Sequence, residues 1–100
     1  MSLSSESKKQ FRAIGHKLKP VVTVAGKGLS ANVVAELNRA LDDHELIKVK
    51  IALEDRDDRR MIIQSLEQEV RAELVQTIGK IALIFRASNK PKLTTSNIRR

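Results

Sequence analysis

One hundred residues with 41% hydrophobic content make one domain around a single modest core. The only aromatic residues are Phe11 and Phe85, which argues against a surface that holds nucleic acid mainly by stacking bases on rings. No cysteine excludes disulfides, thiol chemistry and zinc–thiolate sites, whereas a net charge of +7 favours polyanionic partners.

The opening residues, "MSLSSESKKQF", lack the apolar stretch of a signal peptide, and no run reaches the length of a membrane span. A soluble, cytoplasmic monomer is expected. Ser4 or Ser5 can cap a first helix running to about Leu18, with Leu3, Phe11, Ile14 and Leu18 on its apolar side. Lys17 and Lys19 suit the negative end of the helix dipole, and Pro20 stops the helix. Gly15 weakens this helix by about 1 kcal/mol against alanine and suggests close packing.

Val21–Val24 is a short strand of almost purely β-branched residues. After a glycine turn, Ser30 can cap a second helix with a stripe of Val33, Leu37 and Leu41, ending near His44. "LIKVKIAL" alternates, with Ile47, Val49, Ile51 and Leu53 on one face and Lys48 and Lys50 on the other. Asp55 caps a third helix, whose buried side is Ile62, Leu66 and Val70. Strands at Leu74–Ile78 and Ile81–Phe85 meet in a tight hairpin at Gly79-Lys80. The polar, basic segment 88–100 reads as a mobile tail beyond a domain of residues 1–87. The order α-β-α-β-α-β-β, with two crossovers and a hairpin, predicts an α/β fold on a small four-stranded mixed sheet.

Charge is uneven along the chain. Residues 1–19 hold five basic side chains and one acidic, and residues 74–100 hold six basic and none acidic. The middle is mildly acidic, so a positive face is expected rather than uniform charge. The same composition also fits a protein-interaction module whose basic face docks an acidic partner.

"VVTVAGKGLSANVVAEL" is the segment that speaks most directly of function. A strand entering a helix leaves backbone N–H groups unpaired at the helix start, and glycines let a phosphate approach them. A Walker-type nucleotide loop would need Gly-Lys followed at once by Ser or Thr, but here Gly28-Leu29 intervene. A dinucleotide fingerprint fails on spacing as well. A plain connection between two elements and a clamp on a nucleic-acid backbone remain, the latter as in the GXXG loop of KH domains.

Together "HKLKPVV", "GKGLS", "HELIKVKIA" and "IGKIALIFR" resemble, in order and interval, the YhbY-like CRM (chloroplast RNA splicing and ribosome maturation) domain family. The resemblance covers Ser4 to Arg86, most of the chain. It implies a fold similar to the C-terminal domain of translation initiation factor three. It also implies RNA binding and, for stand-alone bacterial members, association with ribosomal RNA in precursors of the large ribosomal subunit. The family's G-x-x-G loop falls on Ala25, Gly26, Lys27 and Gly28, with alanine in place of the first glycine. If that site requires positive φ, alanine costs about 1–2 kcal/mol; alternatively, Gly26 has taken over the special angle.

Other cations could extend the anion path. Lys8, Lys9, Arg12 and Lys19 mark the first helix and its exit, with Lys8 and Arg12 four apart on one face. Lys48 and Lys50 project from one side of the second strand, and Lys80 and Arg86 share parity on the last, so a combined patch is expected. The helix face also reads as simply solvated, and the alternative for the strand side is cover by the first helix, with lysine stems lying along it. His44 reads as a helix-end residue, and Asp55, Asp57 and Asp58 as cap and first-turn acids rather than a metal site. No nucleophile, base and orienting group can be assembled, so neither an enzyme nor a cofactor is expected.

Overall fold

The computed structural model describes residues 3–99; Met1, Ser2 and Arg100 lie outside it. The elements are α1 (Ser5–Gly15), β1 (Pro20–Val24), α2 (Ala31–His44), β2 (Leu46–Ile51), α3 (Arg56–Val70), β3 (Glu73–Ile78) and β4 (Ile81–Phe85). One mixed sheet has the order β1-β2-β4-β3, with β1 parallel to β2 and β4 antiparallel to both its neighbours.

Local chemistry sets the boundaries. Ser4, Ser30 and Asp55 cap the three helices through their side-chain oxygens, which accept backbone N–H bonds from Ser7, Val33, and Asp57 with Asp58. Helix α1 is shorter than expected and closes at Gly15. Lys17 and Leu18 then donate to the carbonyls three residues back, Ile14 and Gly15, a tightened turn rather than continued helix. Pro20 disfavours helical geometry at Lys19, and the chain must turn there to enter β1. Gly79 takes φ +56° at the first position of the two-residue hairpin, the place a type II′ turn gives to glycine.

Both faces of the sheet are covered, but unequally. On one face Val22, Val24, Ile47, Val49, Ile51, Ala82 and Ile84 pack under Leu37 and Leu41 of α2 and Ile63, Leu66 and Val70 of α3. On the other, Leu46, Val75 and Leu83 pack under α1, with Phe11, Ile14 and Phe85 around them. The Phe11 and Phe85 rings lie 4.8 Å apart at 42° and pin α1 over the end of β4. Gly15 lets α1 sit closely: a Cβ there would come within 2.6 Å of Leu83 Cδ2.

The polar segment after β4 lies over the junction of α2 and β2. Glu45 is fully buried at that junction, with φ 63°. Its carboxylate accepts hydrogen bonds from the Ser88 N–H (2.8 Å), the Ser96 hydroxyl (2.9 Å) and the Arg99 guanidinium (2.6 Å). Asn97 donates to the Leu46 carbonyl and, through its backbone, to that of His44, while Ile98 joins the α1-side core. A polar segment is held here because a buried carboxylate requires donors.

Candidate nucleic-acid interface

Helix α1 covers only part of its face of the sheet. Where β1 and β2 finish, the face is open and carries Val21 and Thr23 of β1, Lys50 of β2 and Ile78 of β3, all exposed. The glycine turn leaves this same end. Ala52 donates to the Val24 carbonyl (2.8 Å) and Ile51 to the Lys80 carbonyl (2.7 Å), so the exits of β1 and β2 and the hairpin turn are tied together.

Within the turn, the Gly28 N–H donates to the Ala25 carbonyl at 2.8 Å, closing a four-residue loop with Gly26 and Lys27 at its tip. Of the four residues only Gly28 has positive φ (+69°). The question raised by Ala25 is thereby resolved on geometry. Neither Ala25 nor Gly26 occupies the left-handed region, so alanine carries no backbone penalty. The glycine that the loop needs is the last one. Ala25, Gly26 and Lys27 are all exposed, and α2 starts three residues beyond Gly28 with its first amides lacking intrahelical partners.

The basic residues separate into two groups. Lys9, Lys19, Lys27 and Lys50 are exposed, Arg12 and Lys48 are half-buried on the α1 side, and none of the six enters an ion pair among the described residues. Lys8, one turn from Arg12, pairs with Glu73 at 3.7 Å. Lys80 reaches Glu54 in the β2–α3 connection.

Arg86 is engaged internally. Its guanidinium donates to Asn38 Oδ1, the Asn38 and Val70 carbonyls and Asp42 Oδ1, at 2.8–3.1 Å. It thus joins α2 to the last carbonyls of α3, where a cation complements the helix dipole. The combined patch of Lys48, Lys50, Lys80 and Arg86 does not form. Register explains this: Lys48 pairs with Leu83 and Lys50 with Ile81, so the odd positions of β4 share their face. Even positions such as Arg86 turn toward α2 and α3.

A hollow of about 130 Å³ lies where the end of α1 meets the open face, lined by Arg12, Gly15, His16, Lys48, Gln76, Ile78, Ile81 and Leu83. Sequence reasoning missed Gln76. Strict alternation gives Leu74 and Gln76 the same face, but a register shift between them interrupts the β3–β4 ladder. Leu74 therefore packs on the α2/α3 core, while Gln76 lines the α1-side hollow. A second, wider groove of about 560 Å³ runs on the opposite side between α3 and the β3 edge, with Arg56, Arg59 and Arg60 along it. Arg59 spends its guanidinium on the Leu53 and Glu54 carbonyls. Among the described residues, no group of three or more acidic, His or Cys side chains could hold a metal ion, and no helix is long and apolar enough to cross a membrane.

The chain resembles known proteins along most of its length. It is 57% identical over 100 residues to "Probable RNA-binding protein PA4753" of Pseudomonas aeruginosa, covering all of this chain and 96% of that protein. It is 42% identical over 92 residues to a Haemophilus influenzae protein named "RNA-binding protein", covering 92% and 93% of the two. The solution structure of the hypothetical protein SAV1595 from Staphylococcus aureus superposes with a TM-score of 0.78 at 29% identity, over 89% of this chain and 93% of that one. A family model, the CRS1/YhbY (CRM) domain, matches residues 3–86. With that span matched, and the mixed sheet and helix order in agreement, the chain belongs to the CRS1/YhbY (CRM) domain family.

Proposed function

We propose that this protein binds RNA, gripping phosphates of structured ribosomal RNA in precursors of the large ribosomal subunit, and that it assists assembly without catalysing a reaction. One observation carries the reading. Arg12 and Lys48 line one hollow, Lys50 stands two residues along the same strand face, and Lys27 tips the exposed loop that leaves β1, none of them with an ion-pair partner among the described residues.

Unpaired cations beside a loop of small residues suit a phosphate backbone, which can approach the turn closely and release its counterions. Family membership and the names of full-length relatives support RNA as the polyanion. Ribosomal RNA and the large subunit follow from the resemblance to stand-alone bacterial members of the family. The scarcity of aromatic side chains favours recognition led by shape and backbone.

The test is salt-dependent binding to ribosomal RNA fragments. Affinity falls steeply with salt, and each phosphate-contacting cation removed lowers the log–log slope by roughly 0.7–0.9. A folded Lys27→Ala, Lys48→Ala, Arg12→Ala variant with unchanged affinity and slope would overturn the surface. In cells, crosslinks are expected on large-subunit precursor RNA; crosslinks confined to small-subunit or messenger RNA would overturn the assignment.

A further inference from the structure

We propose that the hollow between the end of α1 and the sheet is a nucleobase pocket that receives one unpaired adenine of the bound RNA. The inference rests on the RNA-binding reading above and adds base readout to a surface otherwise confined to phosphates.

The chemistry of the lining divides by depth. Gly15, Leu83 and Ile81 form an apolar floor, and Ile78, 61% exposed, stands at the mouth. An exposed isoleucine beside arginine and lysine is an apolar contact without a protein partner. Arg12 and Lys48 form the cationic rim, with the His16 imidazole beside them. A hollow of about 130 Å³ is well below the ~300 Å³ at which pockets begin to enclose a drug-sized ligand whole. A flat ring can enter it, while ribose and phosphate stay outside against the rim. With no Phe, Tyr or Trp in the lining, the faces of the base are met by aliphatic side chains, the His16 imidazole and the guanidinium plane of Arg12, the last two known stacking partners for bases.

Gln76 supplies specificity. The interruption in the β3–β4 ladder turns this amide into the hollow, and bulges of this kind re-aim side chains beside functional sites. The Leu74 N–H donates to the Glu67 carboxylate and the Leu3 N–H, ahead of α1, to that of Glu73, and the Gln76 amide takes part in neither bond. A carboxamide presents an acceptor and donors side by side, the set that pairs doubly with adenine N6 and N7. Only an unstacked, single-stranded base can be offered this way, so the RNA partner carries a loop or bulge next to the helical segment whose phosphates meet Lys27.

The test uses an RNA hairpin library with a fixed stem and a randomised six-nucleotide loop, sequenced after binding to the full chain. The wild type should enrich adenine at one loop position by about ten-fold or more. Gln76→Ala should abolish this enrichment while keeping the salt slope, and the isosteric Gln76→Glu, which can no longer donate to N7, should abolish it as well. Lys27→Ala should weaken binding to all library members alike and keep the enrichment. Salt-dependent binding without adenine enrichment, or enrichment that survives both Gln76 variants, overturns the pocket and leaves the RNA-binding reading standing. Failure of every library member and of ribosomal RNA to bind overturns both.

Discussion

The two ends of the sheet use positive charge in opposite ways. Where β1 and β2 finish, Lys27 and Lys50 extend into solvent and Arg12 and Lys48 flank a hollow, all without ion-pair partners among the described residues. Where β2 begins and β4 ends, Arg86 and Arg99 are tied by hydrogen bonds to carbonyls, Asp42 and buried Glu45. At the first end Lys80 is spent, on Glu54, and these other four cations have no internal task; charge at the second holds elements together. Net charge alone cannot separate them, because a cation committed to the interior and one offered to a partner count equally in composition.

The comparison breaks most visibly at Arg86. Replacing it with alanine leaves the Asn38 and Val70 carbonyls and Asp42 without their shared donor, and the side chain is largely shielded. A loss of about 2–3 kcal/mol in urea-unfolding stability is expected, with RNA affinity unchanged wherever the variant stays folded. A drop in affinity at constant fold would place Arg86 among the binding cations.

Glu45 tests the same end through pH. Burial works against its charge, but hydrogen bonds from Arg99, the Ser88 N–H and Ser96 outweigh this and hold its carboxyl below the ordinary 4.5. A group depressed on folding contributes fully above its unfolded value and loses that contribution as pH falls through the folded one. Tail docking should therefore be complete at neutral pH and weaken as pH drops below about 4.5, read by hydrogen exchange at Asn97 and Ile98. Glu45→Gln should lower stability by about 1–3 kcal/mol near neutrality and flatten this acid limb; an unchanged acid limb would remove Glu45 from the linkage.

The loop offers two smaller, opposite contrasts. Gly28→Ala should destabilise by about 1–2 kcal/mol, because φ is +69° while the nearest side-chain atom, Ile62 Cδ1, stays at an ordinary 3.5 Å. Ala25→Gly, which restores the family's first glycine, should bring no gain and lower stability by roughly 0.5 kcal/mol through the freer unfolded chain. A gain from Ala25→Gly would mean that the loop wants an angle there that alanine resists. The smallest effect is at Lys50→Ala, expected to leave the thermal midpoint unchanged and to appear only as a shallower salt slope.

Much of this was legible without coordinates. Ser30 and Asp55 announced their helices because a capping oxygen just ahead of a segment with helical apolar spacing is a local signal. The hairpin at Gly79-Lys80 was equally local. The candidate loop could be found but not described: only its backbone angles show that Gly28, not the position held by Ala25, carries the left-handed turn.

What the sequence by itself determined is the order of elements, the family and the presence of excess positive charge, since these depend on neighbours along the chain. Tertiary structure alone decided which cations remain unpaired, because the partners of Arg86 and Arg99 lie 44 and 54 residues away. It alone turned Gln76 toward α1, since one extra residue against the neighbouring strand overrides strict alternation. It also folded back the tail, because the donors that a buried Glu45 requires are found there and nothing in the tail's composition reveals that need.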